Sequence, residues 1–153
     1  MRPCEKKMHF GFGEAYPPDL AHLTSDGKHH GEDYLCTTGT KIIACVDGVY
    51  YKKGYYGGFG FSVWIKFWSG WLWRRKTYRI ILAHLITVYD NWKTGDKINK
   101  TDIIGLSGAS GSATYFNPDT KKTESHPHLH LEIQELQKDG SWSAVNPKFV
   151  TGV

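Results

Sequence analysis

Residues 125–132 read Ser125-His126-Pro127-His128-Leu129-His130-Leu131-Glu132, and Ile133 follows. Leu129, Leu131 and Ile133 alternate with polar residues, the period of a strand with one buried face. Residues two apart on a strand point the same way. His128 and His130 therefore share one face, while Leu129 and Leu131 point opposite, into a core. Two imidazoles about 6–7 Å apart along a strand face reach a common small object. Neutral imidazole is the commonest metal ligand, so a divalent metal is one occupant. A pair of surface histidines on an amphipathic strand is the other reading.

A metal site needs further donors, and the chain supplies them upstream. His29-His30-Gly31-Glu32-Asp33 places a histidine and an aspartate four apart around a glycine. On a strand or a helical turn, positions i and i+4 lie on one side. Gly31 permits a tight backbone there. His29, Asp33 and His130 then offer nitrogen, oxygen and nitrogen. Catalytic zinc takes three protein ligands and a water, whereas structural zinc is closed by four and favours cysteine.

The pairing of His-x-x-x-Asp at 29–33 with His-x-His at 128–130 resembles the lysostaphin/LytM-type zinc peptidases, which cut bacterial peptidoglycan. Further stretches fit in the same order. Gly11-Phe12-Gly13-Glu14 resembles the family's opening strand. The run from Gly39-Thr40-Lys41 to Asp47-Gly48-Val49 resembles its G-T-P-V-x-A-x-x-D-G-V segment. Leu82-Ala83-His84-Leu85 is similar to Y-A-H-L, and Thr94-Gly95-Asp96-Lys97-Ile98 to Ile104-Gly105 is similar to x-G-x-x-V…I-G. Pro127-His128-Leu129-His130-Leu131-Glu132 resembles P-H-L-H-F-E, and Val145-Asn146-Pro147 the closing V-N-P.

The resemblance implies an all-β fold of antiparallel sheets (the duplicated hybrid motif, barrel-sandwich-like) with long loops walling a groove. It implies one peptidase domain over residues 1–153; no internal repeat or low-complexity linker appears, so no separate wall-binding domain is expected. It implies one zinc per chain, held by His29, Asp33 and His130. His84 and His128 then orient or deprotonate the metal's water and stabilise the tetrahedral oxyanion. A histidine suits that work because its ordinary pKa lies near operating pH. The implied activity is hydrolysis of stem or cross-bridge peptides in peptidoglycan. The rival is a non-catalytic domain of the same fold, acting as a regulator or a virion part. Such domains typically lose zinc ligands, and this chain retains all five residues.

The whole chain sets bounds on these readings. At 153 residues it has the length of one domain. The formal net charge of +4 suits an anionic wall polymer, nucleic acid, or simply a solvated surface. A basic β-barrel that binds nucleic acid leaves the 29, 33, 128, 130 pattern unexplained, so nucleic acid is not expected as a partner. A monomer is expected, with no membrane insertion, because no run of 18 uncharged apolar residues exists. Met1 to Phe10 has scattered charges and no apolar core of leader length. A wall-cutting enzyme without a leader is expected to be phage-encoded, made in the host cytoplasm and reaching the wall by holin-assisted release or on a virion; a piece cut from a larger protein is the alternative. Cys4, Cys36 and Cys45 are odd in number, with no C-x-x-C spacing. A disulfide framework and a zinc ribbon are therefore not expected. Cys36 and Cys45 read as small buried hydrophobes in strand segments.

Along the chain, Lys41 to Tyr51 reads as a strand pair near Asp47-Gly48, a strong turn signal. From 59 to 67, Phe59, Phe61, Val63, Ile65 and Phe67 share one face. Trp71 to Leu85 runs back as the partner strand, with Ile80, Leu82 and His84 on one face. Lys93 to Lys100 is a polar turn, Asp102 to Leu106 a short strand, and Gly105 to Tyr115 loop-like.

Three features depart from the family pattern. Ala109 to Ser125 is a long loop before His-x-His, placed to wall the groove. Trp68, Trp71 and Trp73 with Arg74, Arg75 and Lys76 make an aromatic, basic hairpin tip, which either grips wall polymer or packs on itself. Some relatives carry an active-site tyrosine six residues before the first ligand. Leu23 stands there, so an equivalent comes from elsewhere, with Tyr16 the candidate. His30 is expected to point away from the metal, and His126 to lie on the surface.

Overall fold

The alternating apolar runs form antiparallel strands, as the sequence predicts. The computed structural model describes residues 1–117 and 119–152. The strands are β1 (Met8–Phe10), β2 (Glu32–Tyr34), β3 (Lys41–Ile43), β4 (Gly48–Tyr55), β5 (Phe61–Ser69), β6 (Lys76–Val88), β7 (Lys97–Ile98), β8 (Ile103–Ser107), β9 (Thr114–Asn117), β10 (Lys122–Ser125), β11 (Leu129–Leu136) and β12 (Trp142–Val145). A single helical turn, α1 (Lys148–Thr151), follows. The main sheet runs β1-β2-β11-β6-β5-β4-β7. β12 adds to β11, and β8 bridges β3 and β6.

The long strand β6 organises this sheet because it pairs on both edges. Ile80 faces Ile133 of β11 on one side and Ile65 of β5 on the other. One face of these strands buries Val63, Ile65, Phe67, Ile80, Leu82, Leu85, Leu129, Leu131 and Ile133 in the main core. Burying side chains of this size contributes about 1.5–3 kcal/mol each. The other face carries a smaller cluster of Trp64, Ile81 and Ala83, covered by Tyr51, Tyr56 and Phe59. α1 is tied to β2 by a buried carboxylate. Glu32 accepts hydrogen bonds from the hydroxyls of Tyr34 (2.7 Å) and Thr151 (3.0 Å), which satisfy a group that is costly to bury bare.

Several expectations need correction. Gly11 to Glu14 is a turn, closed by the Gly11 amide on Glu14 Oε1 at 2.7 Å; the opening strand is β1. β3 and β4 both exist but do not pair with each other. Gly48 opens β4 directly against β5, where a Cβ would lie 2.4 Å from the Lys66 carbonyl. Asp47 instead accepts the Lys100 amide at 2.7 Å. Phe59 and Phe61 leave the Val63 face, because the β5–β6 register shifts between Phe61 and Val63. Phe59 packs edge-on to Trp64 and Phe61 is exposed. Residues 109–125 hold a hairpin, β9 with β10, with Ser125 opposite Thr114; Pro118 lies outside the described residues. Within 93–100, β7 pairs with β4 and buries Ile98. Cys36 and Cys45 are buried but stand outside the strands.

β8 matters to function because it delivers residues 108–112 to the open end of β6. It packs tightly on β6 at Gly105, where a Cβ would lie 2.2 Å from the Thr87 carbonyl. Gly105→Ala is expected to destabilise the fold by about 3 kcal/mol, as overpacking against backbone does. A urea titration that moves the variant by less than about 0.5 kcal/mol would contradict the close pairing.

Candidate metal centre

Three segments meet where β2, β11 and β6 lie side by side. In the register, Asp33 stands opposite His130, and His130 opposite Ala83. His29 reaches the same point from the segment leading into β2. His29 Nε2, Asp33 Oδ1 and His130 Nδ1 form a triangle with sides of 3.2, 2.8 and 3.1 Å. Donors bound to one zinc at about 2.0–2.1 Å in a tetrahedron stand about 3.3 Å apart. These are the residues that the resemblance singled out, and among the described residues they are the group whose spacing suits a metal ion.

The opposite nitrogens of the two rings support this fit. His29 Nδ1 lies 3.1 Å from the Gly11 carbonyl. A carbonyl only accepts, so Nδ1 carries the hydrogen and Nε2 is left with its lone pair toward the triangle. His130 Nε2 points at Glu132 Oε2, 3.5 Å away, which leaves Nδ1 as its ligand atom. Outer partners of this kind fix the tautomer and orientation of metal-binding histidines. Phe10 stacks on the His29 ring at 4.6 Å, and Tyr16 meets it edge-on at 5.6 Å. Gly31 is needed for close approach: a Cβ there would lie 2.5 Å from the Leu131 carbonyl and 2.6 Å from His130 Cε1.

Burial opposes charge on His130, but hydrogen bonds to Asp33 and Glu132 outweigh it and raise its pKa well above the ordinary histidine value. Burial likewise opposes the Asp33 carboxylate, and its contacts with His130 and His29 hold it well below the usual range.

His84 and His128 face the same point. Their rings lie 4.6 Å apart, and His84 lies 5.9 Å from His130. His84 does not share the face of Ile80 and Leu82. The β5–β6 register pairs Val63 with Leu82 but Phe61 with Leu85, so β6 holds an extra residue there. Leu82 and Leu85 both remain in the core, and His84 is turned out toward the groove with φ of 61°. A bulge re-aims a side chain in this way, and a left-handed non-glycine residue is strain held by its surroundings. Ser110 does the holding. Its carbonyl accepts from His84 Nδ1 at 2.8 Å, and its hydroxyl donates to the Leu85 carbonyl at 2.7 Å. His128 Nδ1 donates to the His126 carbonyl at 2.9 Å, and its Nε2 lies 3.8 Å from Asp33 Oδ1. Both rings thus present a bare Nε2 to the site. Burial first, then the neighbouring imidazoles, push His84 down to about 3. Burial also lowers His128, against the pull of Asp33.

The remaining candidates fall as follows. His30 turns away to Asp26, at 2.9 Å. His126 contributes its backbone carbonyl. Tyr16 lines a groove of about 380 Å³ with Leu23, Phe59, His84, Ser112 and His130. Burial raises its phenol, with Asp33 and Glu132 adding to the shift. Trp71 and Trp73 are 80% and 87% exposed at the far end of the β5–β6 hairpin, about 25 Å along the strand from His84. Sequence reasoning missed the carbonyls of Gly11, Ser110 and His126. Backbone groups leave no residue-type signal.

The profile of peptidase family M23 matches residues 27–147. Glycyl-glycine endopeptidase ALE-1 of Staphylococcus capitis is 30% identical over 128 residues, 82% of this chain and 28% of that protein. Peptidoglycan DD-endopeptidase ShyC of Vibrio cholerae is 31% identical over 118 residues, 76% of this chain and 23% of that protein. The chain thus spans about a quarter of the length of these relatives. The catalytic domain of lysostaphin from Staphylococcus simulans superposes with a TM-score of 0.68 at 22% identity, over 97% of this chain and 93% of that one. That likeness carries the antiparallel fold.

A zinc ion bound at Nδ1 would have to displace any proton that His130 holds there. One zinc per chain should therefore release about one proton, and apparent affinity should weaken about tenfold for each pH unit below neutrality. Calorimetry in two buffers of different ionisation enthalpy reads the proton count directly. His130→Ala should lose most of the metal. Binding without proton release, or full zinc content in His130→Ala, would contradict the assignment.

Proposed function

The chain belongs to peptidase family M23, and on that premise we propose that it is a zinc-dependent endopeptidase cleaving stem or cross-bridge peptides of bacterial peptidoglycan. One observation carries this reading. Three metal donors and two neutral imidazoles converge on one point in an open groove. The names of its relatives, a glycyl-glycine endopeptidase and a peptidoglycan DD-endopeptidase, support the substrate class.

His29, Asp33 and His130 would hold the metal. When bound, zinc supplies charge on the scissile carbonyl oxygen and lowers the pKa of water to about 7. The protein's own groups do the rest. Nε2 of His128 accepts the proton of the attacking water. Its Nε2 lies 3.8 Å from Asp33, whose charge opposes the lowering by burial, whereas burial and the neighbouring imidazoles push His84 down to about 3. Protonated His128 then gives that proton to the departing amine. Bare Nε2 of His84 orients the water as an acceptor. The two rings cannot both charge, because each lies in the other's field. Asp33 compensates the positive charge that gathers at the site. Phe59, Leu23 and Tyr16 wall the groove and limit water around the reacting bond.

His84→Ala separates packing from chemistry. Zinc content and melting temperature should stay near wild type, while turnover falls about 10²–10⁴-fold. His128→Ala should behave alike, and the double variant should lose less than the product of the two. With zinc saturating, the acid limb of kcat/KM should lie below about 6.5, because both rings are lowered from the ordinary histidine value. A His84→Ala protein that holds zinc, melts normally and cuts at wild-type rate removes His84 from the mechanism.

The aromatic tip gives an independent test of substrate class. Trp71→Ala with Trp73→Ala should weaken sedimentation with purified walls and leave cleavage of a short soluble peptide unchanged. Equal loss on both substrates would show that the tip is structural.

A further inference from the structure

Away from the metal centre, two thiols meet. Cys4 and Cys36 are 32 residues apart in the chain, yet their sulfurs lie 3.2 Å apart in a buried contact. Cys36 follows β2, the strand that carries Asp33. Cys4 precedes β1, which pairs with β2 through Met8↔Tyr34 and Phe10↔Asp33. β1 is a three-residue edge strand. The turn just after it supplies the Gly11 carbonyl that orients His29, and β1 itself supplies the Phe10 ring stacked on it. A link between the two sulfurs would close a loop holding both His29 and Asp33.

We propose that Cys4 and Cys36 are a reversible dithiol–disulfide site, oxidised by thiol exchange with a small anionic disulfide such as oxidised glutathione, and that the bond pins β1 to β2. Cys4 lines a cleft of about 650 Å³ with Arg2, Glu5, Lys6 and Lys41, an excess of positive charge that complements glutathione carboxylates. The contact with the Cys36 thiol favours the Cys4 thiolate, and the Lys6 amide and charge add to it. Together they outweigh burial and lower the Cys4 pKa, while the same contact raises Cys36. Cys4 is thus the attacking thiolate. It displaces one glutathione thiolate and forms a mixed disulfide. Cys36 gives up its proton, attacks the Cys4 sulfur and expels nothing but the second glutathione. The balance is two protein thiols and one glutathione disulfide to one protein disulfide and two glutathiones. Cys45 is buried and its thiol is pushed up to about 12, chiefly by burial, so it stays inert. The pair is a dithiol in a reducing cytoplasm and a disulfide outside it.

The test uses the wild-type chain without metal, so it stands or falls apart from the zinc reading. The protein is incubated with oxidised glutathione, unfolded, alkylated and digested without reductant. A Cys4–Cys36 linked peptide, with Cys45 as the alkylated thiol, is expected. The oxidised protein should melt about 10 °C above the dithiothreitol-treated one, because a loop of this length is closed in the unfolded chain. Cys45→Ala should keep the link and Cys4→Ser should abolish it. Alkylation of all three thiols after oxidation, a dominant link to Cys45, or an unchanged or lower melting temperature would each overturn the proposal.

Discussion

The register that sets Asp33 of β2 against His130 of β11 is the constraint on which the site depends. A carboxylate and an imidazole brought this close, both largely out of water, are costly unless each satisfies the other. The fold supplies the match from several sides. His29 adds a second nitrogen, Glu132 takes the far side of His130, and Gln134 donates to Glu132. A one-residue slip of β11 would turn His130 inward and Leu131 outward, exchanging core for site. The apolar alternation that fixes the register for packing thus also fixes the donor geometry.

The second constraint is the bulge that turns out His84. Ordinary strand alternation would have buried this ring beside Leu82. The extra residue in β6, the positive φ, and the hydroxyl and carbonyl of Ser110 hold it against that tendency. Gly60 and Gly111 let the two loops that carry this support pack in backbone contact, since a Cβ on Gly60 would lie 2.4 Å from the Ser110 carbonyl carbon. Strain of this kind persists only where the surrounding structure over-determines it.

Much of this was legible in the chain. The period-2 runs at 61–67 and 129–133 are strands, and His29, Asp33 and His130, spaced apart in sequence, lie together in the fold. Tyr16, the candidate to stand in for the tyrosine absent at Leu23, lies against His29. What stayed hidden has physical causes. The face of His84 was misread because strict alternation holds only where no bulge intervenes. The Asp47-Gly48 signal was misread because the aspartate caps Lys100 and the glycine serves close packing on β5. The β9–β10 hairpin was missed although Thr114-Tyr115-Phe116 is a strand-forming run, because the glycines and serines before it read as loop. The carbonyls that set the tautomers have no residue identity to detect.

In the proposed centre, two imidazole nitrogens and one carboxylate oxygen, from His29, His130 and Asp33, hold one zinc and leave a position open to water. X-ray absorption on the zinc-loaded protein tests it most directly. The account predicts four light scatterers at about 2.0–2.1 Å, with multiple scattering from two imidazoles. A sulfur shell near 2.3 Å, or the signature of three or more imidazoles, would contradict it by drawing a cysteine, His84 or His128 into the coordination sphere.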